Sequence, residues 1–466
     1  MSDAPKYLLH SYGCQMNKLD SELVESKLNE RGYVPAEGEA DADVVLLNTC
    51  SVRQHAEDRV WSRLGVLRKS KRANPGLVVG VIGCMAEEHK RYLRARMPHV
   101  DLVVGPSAFG DIDDKVEELR AKNRALLKPE VDPTRGLGEE GVVLSGHGVS
   151  GDTIKRNVRV RPHRSQAFVS VMRGCNMPCA YCIVPTTRGK EISRPIADIV
   201  EEAQRLCDDG VTEITLLGQT VNAYGRDLGK GVTLAALLRA LHEIPSLRRL
   251  AFITSHPNFL SPELIDALAE LPKIARYLHL PAQSGSDAVL KRMRRGYTYD
   301  RYVRRAEQLW DKAPDIELQS DWIVGFPGET DEEFRRTIDL MERIEFSQSY
   351  VFKYSPRPAT LSADEMVDDV PDPVKAERNQ VLLALQEKHT KKKHDALLGS
   401  TQEILVTGDS KVAGRMSGRT WHHRIVHFDS TDQSLIGQYL PVRIDEALGH
   451  SLVGTVLAYD AAETPA

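Results

Sequence analysis

From residue 6 to residue 354, short apolar, β-rich runs alternate with amphipathic helical stretches, and this alternation dictates parallel βαβ units. The first third reads KYLLHSYGC, DVVLLNTC, LVVGVIGC and VDLVVGP, followed by helical patterns over about 19–31, 54–71, 86–97 and 111–123. A helix between two strands returns the chain to the same edge, so the strands pair in parallel. An open parallel α/β domain of four or five strands follows. A second series places strands at 167–172, 212–217, 248–254, 276–280, 317–324 and 348–354, with helices starting near Ala197, Thr233, Pro262, Asp300 and Asp331. Six such units predict a (β/α)6 partial barrel, whose site lies at the strand C-termini. Residues 373–399 read as one charged helix, and beyond them QEILVTG, RIVHFD, YLPVRID and SLVGTVLAY show no helical pattern. That tail predicts a small β-barrel, an architecture that commonly holds nucleic acid.

Seven cysteines, an odd number in a large chain, argue against a disulfide framework and for metal ligation or reactive thiols. Cys175, Cys179 and Cys182 form C-x3-C-x2-C directly after the first barrel strand, where three thiolates can converge and leave one corner without a protein ligand. Cys14, Cys50 and Cys84 each end one of the first three strands, on the edge where open α/β sheets bind ligands. Taken alone, this second triad fits zinc with a water or an iron–sulfur cluster. The glycines before Cys14 and Cys84 let the backbone approach a bulky group. Asn17 and Asn48 fit either donors beside that group or a helix cap and a turn. Cys207 lies within the helical pattern IADIVEEAQRLCDDG and reads as a buried structural thiol.

Other strand ends bring polar groups to the barrel mouth: Gly218 and Gln219 after the second strand, Ser255 and His256 after the third, Gln283 and Ser284 after the fourth, Asp321 and Glu329 around the fifth. RGKEISRP adds Glu191 and Arg194. Ser286 and Thr330 read as helix starts, and Gly325 and Gly328 as turn residues. The formal net charge is -4, so contact with nucleic acid must come from local basic patches. Residues 155–164 carry five Lys/Arg and no acid, and fit either an anionic partner or a solvated edge. Residues 289–309 carry seven Lys/Arg against two acids, interleaved with Tyr297, Tyr299 and Tyr302, which suits phosphate contacts with stacking and equally a solvated helix face. Residues 411–427 carry four Lys/Arg and no acid around Trp421, and their histidines read as RNA-facing or structural. The N-terminus lacks a secretory pattern and no run of 18 uncharged apolar residues occurs, so a cytoplasmic protein without membrane contact is expected.

The cysteine run, with an aromatic before its last cysteine, resembles the signature of the radical S-adenosylmethionine superfamily. With YGCQMN, LNTCSVR, GCMA, RGCNMPCAYCIVPTTRGKEISRP, LLGQTVNAYG, SHP, LPAQSGS, LKRMRRGYT, GFPGET, YSPRPAT and SGRT, the chain resembles the methylthiotransferase family of that superfamily over residues 6–458, closest to the members that modify isopentenyl-adenosine in tRNA. Departures are NMPCAYC, without the usual bulky aromatic before its second cysteine, and PTTRG, where Thr186 replaces an aromatic. Neither removes a ligand.

The resemblance implies two [4Fe-4S] clusters, an auxiliary one on Cys14, Cys50 and Cys84 and a radical one on Cys175, Cys179 and Cys182. It implies S-adenosyl-L-methionine contacted by Tyr181, Glu191, Arg194, Gly218, Gln219, Ser255, Gln283 and Asp321. No side chain serves as acid, base or nucleophile, because the chemistry is the cofactor's. The implied layout is an N-terminal Rossmann-like domain at 5–128, a linker at 129–160, a radical S-adenosylmethionine barrel at 161–394 and a TRAM RNA-binding barrel at 397–460. Implied partners are tRNA with isopentenyl-adenosine next to the anticodon, a one-electron donor such as flavodoxin or ferredoxin, and a sulfur carrier. The implied reaction is methylthiolation at C2 of that base at position 37, with one S-adenosylmethionine giving the methyl group and a second the 5'-deoxyadenosyl radical. Rival substrates within the family are threonylcarbamoyl-adenosine in tRNA and ribosomal protein S12, and a zinc-containing RNA-binding protein is the non-enzyme alternative.

Overall fold

Two runs, Val44–Thr49 and Val78–Gly83, are buried at every position, as strands covered by helices on both faces must be. They form the centre of a parallel sheet in the computed structural model, which describes residues 4–51, 54–125, 142–144, 156–161 and 163–457. The chain divides into two compact units: residues 1–162 with 173–176 and 183–191, and residues 163–172, 177–182 and 192–466.

In the first unit the sheet order is Val34–Pro35, Lys6–Tyr12, Val44–Thr49, Val78–Gly83, Leu102–Val104 and Val142–Leu144, all parallel. Side chains alternate between the faces. Val44, Leu46 and Ile82 join a core with Val24, Leu28 and Phe109, while Val45, Leu47, Val79 and Val81 join the opposite core with Val60, Leu64 and Leu93. Six strands stand where four or five were expected. Val34–Pro35 is too short to carry a periodic signal, and Val142–Leu144 lies in the Gly- and Pro-rich connection, the remainder of which falls outside the described residues. The helices run Gln15–Glu30, Gln54–Ala73, Cys84–Arg96 and Ile112–Ala125.

In the second unit six parallel strands form two ladders. Gln166–Ser170, Glu213–Leu217 and Arg249–Phe252 make one; Tyr277–His279, Glu317–Val324 and Gln348–Lys353 make the other. The Leu250–Ile274 bridge and a bond from Ser255 N–H to the His279 carbonyl (3.2 Å) link them into a partial barrel. Thr233, Ser261, Ser286, Thr298 and Thr330 accept N-cap hydrogen bonds at the intervening helices, each contributing about 1 kcal/mol.

After the helix Asp372–Asp395, five strands close a barrel in the order Thr401–Asp409, Arg415–Thr420, Ile425–Asp429, Leu452–Val456, Tyr439–Ala447. Arg415–Thr420 lies within the basic stretch read as RNA-facing, and alternation buries its Met416, Gly418 and Thr420. The residues that follow are turned toward the (β/α)6 barrel instead of solvent. The Trp421 carbonyl accepts from Arg276 N–H (2.9 Å), His423 packs on the Tyr277 ring (5.0 Å), and Arg424 donates to both Glu317 carboxylate oxygens at 2.6 Å. Arg249 lies 4.7 Å above the Trp421 ring and pairs with Glu213 at 3.0 Å, with both side chains at least 92% buried. His422 and His423 are therefore structural: His422 Nε2 bonds the Asp315 carbonyl (3.1 Å) and His423 stacks on Tyr277. Basic composition could not report the direction these side chains take.

Removing Arg249 strands the buried Glu213 carboxylate, which costs about 3–5 kcal/mol. Urea unfolding of Arg249→Met is expected to show a loss of that size, with faster hydrogen exchange in the strand ending at Thr420.

Candidate functional site

Lys6–Tyr12, Val44–Thr49 and Val78–Gly83 are consecutive neighbours in the first sheet, so the residues at their C-terminal ends meet although they are far apart in sequence. Cys14 caps the helix Gln15–Glu30, Cys50 follows its strand directly, and Cys84 opens the helix Cys84–Arg96. Gly13 and Gly83 have φ of +131° and +91°, and an added Cβ would lie 2.6 Å from Cys50 Cβ and 2.3 Å from Asn48 Oδ1. Only glycine fits either place. Asn17 completes a capping box with Cys14, whereas Asn48 lies within the strand Val44–Thr49 and not in a turn. Asn17 Oδ1 accepts from Cys14 N–H (3.4 Å) and from its thiol (3.2 Å), while Asn48 Nδ2 donates to the Asn17 carbonyl (2.7 Å) and to Ser21 Oγ (3.0 Å).

Arg188, from the helix Val184–Arg188, belongs to the same unit. Its Nε donates to Cys84 Sγ (3.2 Å) and its Nη2 to Asp20 (2.6 Å), with both charged side chains buried. A hydrogen bond from the Cys50 thiol, with help from the Arg188 charge, pulls Cys14 down to about 5, whereas burial pushes Cys84 up. Among the described residues only Glu57, Glu88 and His89 bring three ligand atoms within 4.8 Å of one another. Three soft thiolates in each triad suit a multi-iron cluster.

In the loop after Gln166–Ser170, Cys175 N–H donates to the Gly189 carbonyl (3.1 Å) and Cys182 N–H to the Cys179 carbonyl (3.1 Å). Arg295 reaches Cys179 Sγ with Nη1 (3.2 Å), Tyr297 Oη with Nε (3.3 Å) and the Pro281 carbonyl with Nη2 (3.4 Å). Tyr297 and Tyr302 are themselves buried, donating to the Ala282 and Leu280 carbonyls at 2.7 Å. The stretch 289–309, read as a stacking and phosphate surface, thus turns two tyrosines and one arginine inward. Lys291, Arg294, Arg301 and Arg304 remain exposed.

At the strand ends both amide atoms of Gln219, Ser255 Oγ and His256 Nε2 are buried without a hydrogen-bond partner. Buried polar atoms are rarely left so unless a ligand meets them. Thr254 and Gln283 hold positive φ of +72° and +66° without being glycine. Main-chain bonds fix them there: Val221 N–H donates to the Thr254 carbonyl (2.9 Å), and Gln283 N–H to the Asp321 carbonyl (2.9 Å). Gly218 is needed because a Cβ would lie 2.6 Å from Met172 Cγ. Asp321 pairs with His279 at 3.4 Å, and Tyr181 packs edge-on against Phe326.

Arg194 is engaged elsewhere, in a 2.7 Å pair with Glu202 and a bond to the Ser170 carbonyl (2.7 Å). Glu191 is buried, with its N–H on Asn176 Oδ1 (3.1 Å). Glu329 is also structural, accepting from Gly325 N–H (2.6 Å) and Arg378 (2.9 Å). Sequence reasoning passed over Arg188 and Arg295. The only available signal was that each lies a few residues from a motif cysteine or in a loop returning to the mouth.

The profile of the radical SAM superfamily matches residues 169–341, that of the uncharacterized protein family UPF0004 residues 6–105, and that of the TRAM domain residues 395–457. A tRNA-2-methylthio-N(6)-dimethylallyladenosine synthase of Rhodopirellula baltica is 42% identical over 96% of this chain and 95% of that protein. Its counterpart in Akkermansia muciniphila is 41% identical over 97% of this chain and 98% of that protein. The chain belongs to this synthase family. Among solved structures, the radical S-adenosylmethionine methyltransferase TsrM from Kitasatospora setae matches with a TM-score of 0.53 at 13% identity over 77% of each chain. The cobalamin-dependent radical enzyme OxsB gives 0.51 at 14% identity, over 83% of this chain and 56% of that one. At such identities the likeness is one of fold.

His256 gives this synthase-family chain a pH signature. Burial, with Arg295 and Arg301 nearby, lowers its imidazole to about 2. Below pH about 6.5 the unfolded chain takes up a proton that the fold refuses, so stability falls as pH drops, by about 1.4 kcal/mol per pH unit. His256→Asn is expected to remove one proton from the slope of unfolding free energy between pH 6.5 and 5, about 2 kcal/mol over that window, as read by urea titration at each pH.

Proposed function

We propose that this chain methylthiolates C2 of isopentenyl-adenosine at position 37 of tRNA, using two molecules of S-adenosylmethionine. The observation that carries the reading is identity of 41–42% to synthases of that name across nearly the whole of both chains. Cys14, Cys50 and Cys84 would hold the auxiliary [4Fe-4S] cluster and Cys175, Cys179 and Cys182 the radical one. When bound, these clusters and S-adenosylmethionine supply a methyl group, sulfur and a carbon-centred radical, which a C2–H without acidity demands.

The chain's own residues then bind and orient. Two triads of thiolates leave one corner of each cluster to a non-protein ligand. Gln219 and Ser255 offer unmet hydrogen-bonding atoms to the polar end of S-adenosylmethionine, with Gly218, Gln283, Asp321 and Tyr181 around them. Arg194 contributes by fixing the strand end at Ser170. No residue acts as acid or base, because the reaction moves a hydrogen atom and not a proton.

The working domain boundaries are 5–128, 129–160, 161–394 and 397–460. The partners are tRNA, a one-electron donor and a sulfur source, and the setting is cytoplasmic. No helix among the described residues is long and apolar enough to cross a membrane.

The test is mass spectrometry of tRNA nucleosides from a deletion strain with and without this chain. The methylthio form is expected only with it, and its persistence in the deletion strain would overturn the reading. Anaerobic reconstitution should give about eight irons per chain, falling to about four in Cys50→Ser and in Cys175→Ser. Cys50→Ser should still cleave S-adenosylmethionine without methylthiolating tRNA, whereas Cys175→Ser should do neither.

A further inference from the structure

In each cysteine triad a buried arginine donates to one of the sulfurs, and the charge around these two arginines differs. Arg295 is 6% exposed and its guanidinium meets Cys179 Sγ, a phenol oxygen and a carbonyl oxygen. Among the described residues no carboxylate forms an ion pair with it. Arg188 is also buried and meets Cys84 Sγ, but holds Asp20 at 2.6 Å.

A buried cation facing only neutral oxygens is strongly disfavoured unless an anion completes its surroundings. At Arg295 that anion is whatever the triad holds through Cys179. At Arg188 a carboxylate already supplies it.

We propose that these residues tune the two triads in opposite ways: Arg295 brings an uncompensated positive charge to the Cys175, Cys179 and Cys182 site, while Asp20 opposes the charge that Arg188 brings to the Cys14, Cys50 and Cys84 site. The proposal rests on the reading that both triads carry iron–sulfur clusters. Taking up one electron from an external donor adds one negative charge to a cluster. A nearby cation and a hydrogen bond to a ligating sulfur both favour that reduced state. Arg295 therefore raises the potential of its site through charge and hydrogen bond together. Arg188 acts mainly through its hydrogen bond, because Asp20 opposes its field at Cys84 and much of it beyond the pair. Both are positioning residues, since each acts through a ligating cysteine.

The experiment uses two full-length parents. One carries Cys14→Ala, Cys50→Ala and Cys84→Ala, leaving the barrel triad; the other carries Cys175→Ala, Cys179→Ala and Cys182→Ala. Each is reconstituted anaerobically, its iron and sulfide are counted, and its midpoint potential is read by electron paramagnetic resonance during titration with dithionite. In the first parent, Arg295→Gln is expected to lower the reduced-to-oxidised ratio at the parental midpoint at least tenfold, about 59 mV for one electron. Arg295→Lys, which keeps the charge, is expected to recover most of it. In the second parent, Asp20→Asn is expected to move the ratio at least tenfold the other way.

Unmoved midpoints in variants with full iron content overturn the proposal and leave the cluster reading standing. Parents that take up neither iron nor sulfide overturn the cluster reading, and the proposal with it. If Arg295→Gln does not hold its cluster, Arg295→Lys decides: a ratio within threefold of parental supports the charge argument, and a tenfold fall overturns it.

Discussion

Parallel strand pairing is the constraint on which the rest of this molecule depends. Lys6–Tyr12, Val44–Thr49 and Val78–Gly83 run side by side in one direction, so everything at their C-terminal ends shares an edge. Cysteines 36 and 34 positions apart become neighbours without a long loop, and the two strands buried at every position hold that edge from both faces. Local details follow from the crowding this creates. With Cys50 Cβ and Asn48 Oδ1 where side chains of residues 13 and 83 would stand, glycine is compulsory at both. The Asn17 and Asn48 amides close the remaining main-chain demands.

The second unit repeats the principle with a different closure. Its six strands form two ladders of three, and the link between them falls beside Thr254 and Ser255, the point where strain and unmet polar atoms gather. The small C-terminal barrel is tied to the same unit by Arg249, Arg424 and His423. Their charges and rings are satisfied by Glu213, Glu317 and Tyr277. Nucleic-acid-binding composition and domain docking thus draw on the same residue types, because a guanidinium stacks on an indole as readily as on a base.

That overlap explains where the sequence was legible. Strands, helices and both cysteine sets follow from period and spacing, which report which face of an element is apolar. Direction is another matter for long cationic side chains. Arg295 and Arg294 are adjacent in one basic run, yet Arg295 is buried against Cys179 and Arg294 is exposed. Tyr297 and Tyr302, interleaved with charges, look like stacking residues and instead donate to strand-end carbonyls inside the barrel. Neither composition nor periodicity encodes such partners, since each is supplied by a segment distant in sequence. The five-stranded barrel was recognisable, but its second strand was hidden because Arg415, Ser417 and Arg419 alternate with buried residues two of which, Gly418 and Thr420, are not strongly apolar.

The barrel mouth departs from what stability alone would favour. Two non-glycine residues with positive φ cost on the order of 1–3 kcal/mol each, and each buried polar atom left unpaired costs about 1–3 kcal/mol more. Gln219, Ser255 and His256 supply four such atoms between them. Thr254, Gln283, Gln219, Ser255 and His256 lie at the ends of adjacent strands, on the edge that also carries Cys179 and Arg295. A fold whose packing is otherwise consistent accepts such penalties where something else completes the hydrogen bonds. A guanidinium buried without a carboxylate, as Arg295 is beside Cys179, makes the same demand in electrostatic form.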